Sequence, residues 1–169
     1  MWIAFNSFSQ RGTGKAYNED AVLLGGQVHQ GRVRGHGEVD TSQPRYFAVA
    51  DGVSTGTLPR TASHRLLELL QTRLATAPAT IFNAGDSRAY LLNGGQAQLM
   101  SRDHSLLNDL LTEGEITPAQ SENAASILRG LTCQFIADGE LDEFKVNIVN
   151  HVLLPGERLW LCSDDSSRC

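Results

Sequence analysis

Acidic residues that could hold a hard cation recur beside apolar runs in this sequence. Tyr46-Phe47-Ala48-Val49-Ala50 stops on Asp51-Gly52, Glu19-Asp20 precedes Ala21-Val22-Leu23-Leu24, and Arg158-Leu159-Trp160-Leu161-Cys162 leads into Ser163-Asp164-Asp165. Carboxylates brought to one place repel one another and demand cations. Their hard oxygens suit Mg2+ or Mn2+, and a pair of such ions would lower the pKa of a shared water and stabilise an in-line displacement at phosphorus. A buried strand would hold Asp51 on rigid backbone, while Gly52 would let the chain turn sharply and bring a bare carbonyl close to whatever Asp51 binds. Taken alone, Asp51-Gly52 reads equally well as a hairpin turn, and Glu19-Asp20 as a solvated one. Composition does not make the three acidic tips converge; the fold must do that.

The elements that would position them follow from hydrophobic patterning. Ile3 to Ser9 reads as a first strand, Ala21 to Leu24 as a second, and Phe47 to Ala50 as a strand covered on both faces. Gly25 to Pro44, rich in Gly, His, Gln and Arg without apolar periodicity, reads as a long connection, and His29 and His36 within it as surface residues. Ala62, Leu66, Leu70 and Leu74 repeat every fourth residue, so Pro59 to Leu74 predicts a packed helix widened by Leu67 and Leu69. Thr80 to Ala84, Ala89 to Leu92 and Gln96 to Met100, joined by Gly85-Asp86-Ser87-Arg88 and Asn93-Gly94-Gly95, predict an antiparallel meander. Arg102 to Ser105 offers caps for a helix running to Glu113, and Thr117-Pro118-Ala119-Gln120 is a capping box with proline at the first helical position. Phe144 to Ile148 and Arg158 to Cys162 are the last predicted strands. His104 and His151 read as cap or surface residues, Trp2 and Trp160 as core, and the acidic stretch 140–143 as a solvated turn.

Composition narrows the function classes. The chain has 169 residues, enough for one domain with a real core. Its net charge of −5 comes without any basic run, which argues against nucleic acid or an anionic membrane surface as a partner. Cys133, Cys162 and Cys169 contain no C-x-x-C pair, so neither a disulfide framework nor a structural zinc site is expected. No basic leader and no apolar window near the ~18 residues of a membrane span are present, so the expectation is a soluble, cytoplasmic protein. Gly14-Lys15 does not complete a P-loop, because Ser9 stands where the first glycine is needed and Ala16 replaces the magnesium-holding hydroxyl.

Five motifs in order resemble those of the metal-dependent PPM or PP2C-type protein serine/threonine phosphatases: Asn18-Glu19-Asp20-Ala21, Phe47 to Gly52, Asn83 to Tyr90, Ser101 to Ser105, and Leu161 to Asp164. That resemblance implies an α+β fold, an α/β/β/α sandwich of two stacked antiparallel sheets flanked by helices, with a two-metal site at one end. It implies Mn2+ or Mg2+ bridged by Asp51, the carbonyl of Gly52, Glu19 and Asp20 on one side, Asp164 on the other, and Asp86 at a weaker third metal site. The nucleophile would be metal-bound water and the substrate a phosphoserine or phosphothreonine protein, in opposition to a serine/threonine kinase.

The departures from the pattern are as informative. Lys15 stands where the family has a phosphate-binding Arg, keeping the charge but losing the bidentate fork. Val53-Ser54-Thr55-Gly56 lacks the histidine often found after Asp-Gly, and His64 is a poor substitute as general acid. Set against the family, the single domain over 1–169 is incomplete: part of the middle around 75–79 and the C-terminal end with the last metal-ligating Asp are expected to be missing. Two readings follow: a phosphatase with impaired turnover, its Asp51 and Lys15 serving catalysis, or an inactive PP2C-like fragment acting as a binding or regulatory module.

Overall fold

The computed structural model describes residues 2–42, 45–56, 58–73, 80–135 and 146–163. The chain divides into two compact units, Met1–Pro78 with Phe135–Glu140 and Ala79–Gln134 with Leu141–Cys169. Asp164, the predicted helix end at Leu74, the break at 75–79, the acidic stretch 140–143 and the predicted strand start at Phe144 lie outside the described residues.

The first unit carries strands β1 (Trp2–Ser9), β2 (Ala21–Leu24), β3 (Gln27–Gln30), β4 (Val33–Asp40) and β5 (Phe47–Ala50), then helix α1 (Pro59–Arg73). Strands β3, β2 and β5 form one antiparallel sheet with β2 in the middle, and β1 pairs with β4 as a separate ribbon. Gly25 and Gly26, both at positive φ, make the two-residue β2–β3 turn, for which paired left-handed residues are the favoured chemistry. Helix α1 packs on β2, β3 and β5, and Leu67 meets Ala21, Leu23 and Ala50 there in a core flanked by Leu66, Leu70, Val28, Tyr46 and Ala48. A fully buried leucine of this kind contributes about 1.5–3 kcal/mol.

The expected long connection over Gly25 to Pro44 is corrected by β3 and β4. Its signal was hidden because the inner positions of β4 opposite Phe5 and Ser7 are Gly37 and Gly35. Those glycines make room for larger partners: a Cβ on Gly37 would stand 3.1 Å from the Phe5 ring, which itself lies 5.3 Å from the Phe47 ring. Trp2, expected in the core, is 67% exposed on the outer side of β1.

The second unit carries β6 (Thr80–Asn83), β7 (Arg88–Asn93), β8 (Gln96–Leu99), helices α2 (Leu106–Glu113) and α3 (Pro118–Glu122), a 3-10 turn at Ser126–Arg129, β9 (Asn147–Asn150) and β10 (Arg158–Cys162). Strand β7 lies between β10 and β8, whereas β6 pairs with β9. The predicted three-strand meander is thus half right: β7 and β8 form a hairpin through Gly94 and Gly95, but the pairing edge of β6 is taken by β9, Ile81 opposite Val149. Ser105 caps α2 by accepting the Asn108 amide, Gly114 ends it at φ 75°, and Thr117 and Gln120 form the expected capping box. Trp160, also expected in the core, is 44% exposed beside Tyr90. Cys133 and Cys162 are both buried, and neither is in a disulfide among the described residues.

Candidate functional site

Antiparallel pairing places Ala21 opposite Ala50, so the residues just before β2 and just after β5 leave the sheet at the same end. Those residues are Glu19-Asp20 and Asp51-Gly52. The junction is tight. A Cβ on Gly52 would stand 2.4 Å from the Glu19 carbonyl oxygen and 2.7 Å from its Cβ, and the Gly52 amide donates to Asp20 Oδ1 at 3.2 Å. Gly52 is not among the positive-φ glycines, so its role here is close approach and not a left-handed turn; the chain runs on towards α1 without a hairpin.

Asn18 holds the incoming segment from beneath. It is 7% exposed, and its Nδ2 donates to Ser9 Oγ at 2.8 Å and to the Gly31 carbonyl at 2.9 Å. Its Oδ1 accepts the Asp20 amide at 3.2 Å, the short-range bond with which Asn fixes a turn. From helix α1, the buried Ser63 hydroxyl donates to the Glu19 carbonyl at 2.5 Å.

The Glu19 side chain is engaged as firmly as its backbone. Lys15 Nζ lies 2.7 Å from Glu19 Oε2, Ser54 Oγ donates to the same oxygen at 2.6 Å, and Lys15 also donates to Ser54. The Lys15 hydrogen bond, with that from Ser54, holds the Glu19 carboxyl below its ordinary value. Lys15, expected to face phosphate, therefore lies against a predicted metal ligand, with its own carbonyl accepting from Arg11 at 2.6 Å.

Asp86 sits in the second unit, in the turn between β6 and β7. That turn is braced on every side. Gly85 stands at φ 87°, its amide donates to His104 Nδ1 at 3.2 Å, its carbonyl accepts the His104 amide at 2.9 Å, and Asn83 Nδ2 donates to the Ser87 carbonyl at 2.7 Å. His104, expected as a cap or surface residue, is buried at 9% exposure because it holds this turn. Arg88 Nε reaches Asp103 Oδ1 at 3.0 Å and its guanidinium also bonds Oδ2, a forked pair that keeps Arg88 firmly protonated. His151, read likewise, bonds Glu157 at 2.9 Å, and the Glu157 carboxyl is held low by the Leu154 amide and by His151.

Of the predicted site residues, Lys15, Glu19, Asp20, Asp51 and Gly52 thus share one sheet end. The ligand atoms that Glu19, Asp20, Asp51 and Gly52 offer beside the ends of β2 and β5 are hard carboxylate and carbonyl oxygens, which fits Mg2+ or Mn2+, whereas Lys15 offers a cation. Among the described residues, no group of three or more His, Cys, Asp or Glu side chains gathers closely enough to hold a metal by themselves. Sequence reasoning missed Ser54 and Ser63 as partners of Glu19; the signal for Ser63 is a polar residue four positions before the core leucine Leu67.

Comparison with known proteins bears on this arrangement. No family model matches the chain. Over 80 residues, 47% of this chain, it is 36% identical to protein phosphatase PhpP of Streptococcus pneumoniae, and the match takes in 31% of that relative. The chain therefore matches about a third of the relative's length. In structure it is similar to the S. agalactiae serine/threonine phosphatase, with TM-score 0.69 at 16% identity over 99% of this chain and 81% of that one. It is also similar to the catalytic domain of the serine/threonine protein phosphatase PstP in complex with two manganese ions, with TM-score 0.54 at 21% identity over 97% of this chain and 77% of that one. The chain carries the α+β fold of these phosphatases, and the resemblance read from its motifs is matched by sequence similarity to a protein of that class.

Proposed function

We propose that the chain is a PPM-type serine/threonine phosphatase domain that acts on phosphoserine or phosphothreonine in proteins, opposing a serine/threonine kinase, with turnover impaired. The observation that carries this reading is the junction itself: Asp51-Gly52 pinned against Glu19-Asp20 at one sheet end, by contacts that only glycine at position 52 permits. Asp51, the Gly52 carbonyl, Glu19 and Asp20 would hold Mn2+ or Mg2+ there; Asp86 and Asp164 are assigned as further ligands by resemblance alone. The bound ions would activate water for attack on phosphorus. The protein's own contribution is positional. Strand ends hold the carboxylates still, Asn18 and Ser63 fix the Glu19-Asp20 peptide, and Lys15 supplies a cation within reach of the same carboxylate.

Lys15 is also why turnover is expected to be low. An ammonium on Glu19 competes with a metal ion for the same oxygen, and as a point charge it holds phosphate less specifically than the planar fork of Arg. That contact favours a second reading, an inactive module that keeps the fold and binds without hydrolysing.

Hydrolysis of a phosphothreonine peptide and of p-nitrophenyl phosphate, titrated with Mn2+, separates the two. The phosphatase reading expects Mn2+-dependent turnover that Asp51→Asn lowers by at least ~100-fold, since loss of even an outer-shell partner of a metal costs ~10–100-fold. A folded chain with no turnover at saturating Mn2+ would sink it. Mn2+ binding measured by calorimetry on the same samples then tells whether the cation site itself persists.

A further inference from the structure

Ser63 is a hydroxyl inside an apolar interface, 3% exposed on the face of α1 that carries Leu67. Its single proton has two carbonyls in reach, Glu19 at 2.5 Å and Arg60 at 3.2 Å. The neighbours decide between them. Gln30 Nε2 donates to the Arg60 carbonyl at 2.8 Å and to Ser63 Oγ at 3.2 Å, while Gln30 Oε1 accepts from Arg60 Nε at 3.0 Å. An amide nitrogen carries two protons, so Gln30 serves both acceptors at once and the Ser63 proton goes to Glu19. A directed chain of donors therefore runs from Arg60 through Gln30 and Ser63 to the Glu19 peptide.

The same peptide is also met by Gly52, so close that a Cβ would stand 2.4 Å from the same carbonyl oxygen. The Glu19 carbonyl thus accepts a helix hydroxyl and is crowded by a glycine. We infer that Ser63 is a positioning residue: it fixes the Glu19 peptide from helix α1, so that the Glu19 carboxylate and the Asp20–Gly52 junction are presented together to a divalent cation. The inference deepens the phosphatase reading and rests on it for the identity of the cation. Alanine would fill the Ser63 position almost as well. What it lacks is the proton.

The test uses the full chain as wild type, Ser63→Ala, Gln30→Ala and Thr72→Ala, the last removing an exposed hydroxyl from the same helix that bonds only within the helix. Mn2+ is titrated calorimetrically, and amide exchange is followed in metal-free protein at Gly52, whose amide bonds Asp20. Ser63→Ala should weaken Mn2+ binding about tenfold or more, the usual effect of removing an outer partner of a metal ligand. It should also speed exchange at Gly52 while leaving the β1–β4 ladder protected. Gln30→Ala frees the Arg60 carbonyl to draw the Ser63 proton away and should shift both readouts the same way by less; it serves alone if Ser63→Ala fails to fold. Thr72→Ala should move neither. Wild-type Mn2+ affinity and wild-type Gly52 exchange in Ser63→Ala would overturn the inference. If the wild type binds no Mn2+, the phosphatase reading falls instead, and the metal-free exchange comparison still decides for or against Ser63.

Discussion

Replacing Gly52 by alanine adds one methyl group where the chain has no room for it. The new Cβ would lie 2.4 Å from the Glu19 carbonyl oxygen, 2.7 Å from its Cβ and 2.8 Å from its carbonyl carbon. Two of these are backbone atoms, so no side-chain rotation relieves the clash. Opening the shortest contact even to 3.0 Å displaces the Glu19 or Gly52 backbone by about 0.6 Å. Overpacking of this kind costs ~1–3 kcal/mol, and the strained Gly52–Asp20 hydrogen bond adds ~1 kcal/mol. The stiffer unfolded chain returns ~0.4–1 kcal/mol. The net loss is about 1–4 kcal/mol, centred near 2, which for a chain of this length lowers the melting temperature by roughly 2–14 °C. Thermal melting monitored by circular dichroism checks it, with Gly14→Ala as control, because a Cβ at Gly14 meets nothing within 4 Å and Gly14 is not at positive φ. The variant should also lose Mn2+ affinity, since the displaced pair carries the proposed ligands. A Gly52→Ala chain melting within about 1 °C of wild type, with unchanged Mn2+ binding, refutes the reasoning that close approach selects glycine here.

Lys15→Met removes the ammonium that depresses the Glu19 carboxyl, and the loss should depend on pH. A carboxyl whose folded pKa lies below its unfolded value stabilises the fold above the unfolded value, near 4.5, and ceases to as pH falls through the folded one. The stability gap between wild type and Lys15→Met in urea should therefore be constant at pH 6–7 and shrink below about pH 4.5; a gap that stays level down to pH 3 contradicts the pairing. Arg88→Lys replaces a forked contact to Asp103 with a single one and should cost about 1 kcal/mol in urea denaturation, without altering Mn2+ affinity at the Glu19–Gly52 junction.

What the sequence disclosed of the fold tracks the kind of signal each element carries. Helix α1 was legible because leucines at helical spacing report a packed face, and β5 was legible as a strand from its unbroken apolar run; the cover expected on both of its faces is not reached, since Phe47, Ala48 and Val49 are half-buried and only Ala50 is buried. Strand β4 was illegible for the opposite reason. Its inner positions are glycines, and what occupies the space is Phe5, about thirty residues earlier in the chain. The β6–β9 pairing was illegible too: both strands were visible, but which edge joins which is settled by chain connections that local pattern does not encode. Trp2 and Trp160 show that residue type alone misassigns burial, since alternation along β1 turns Trp2 outward.

The site divides along a similar line, between side chains that advertise chemistry and backbone that does not. Glu19, Asp20 and Asp51 announced themselves as acids beside strands, and Lys15 as a cation four residues before Glu19. Nothing in residue types announced that the crowded atom would be the Glu19 carbonyl, touched by a serine forty-four positions later and by a glycine that tolerates no Cβ. Carboxylates on long side chains can swing toward a cation, so their presence says little about how rigid a site is. A peptide bonded by Ser63 and crowded by Gly52 has little room to swing, and it determines where the Glu19 carboxylate and the Asp20–Gly52 bond begin. For that reason the variants that discriminate best are Gly52→Ala and Ser63→Ala, which leave every carboxylate in place. If either changes Mn2+ binding as much as Asp51→Asn does, preorganised backbone and not charge count sets the affinity of this junction.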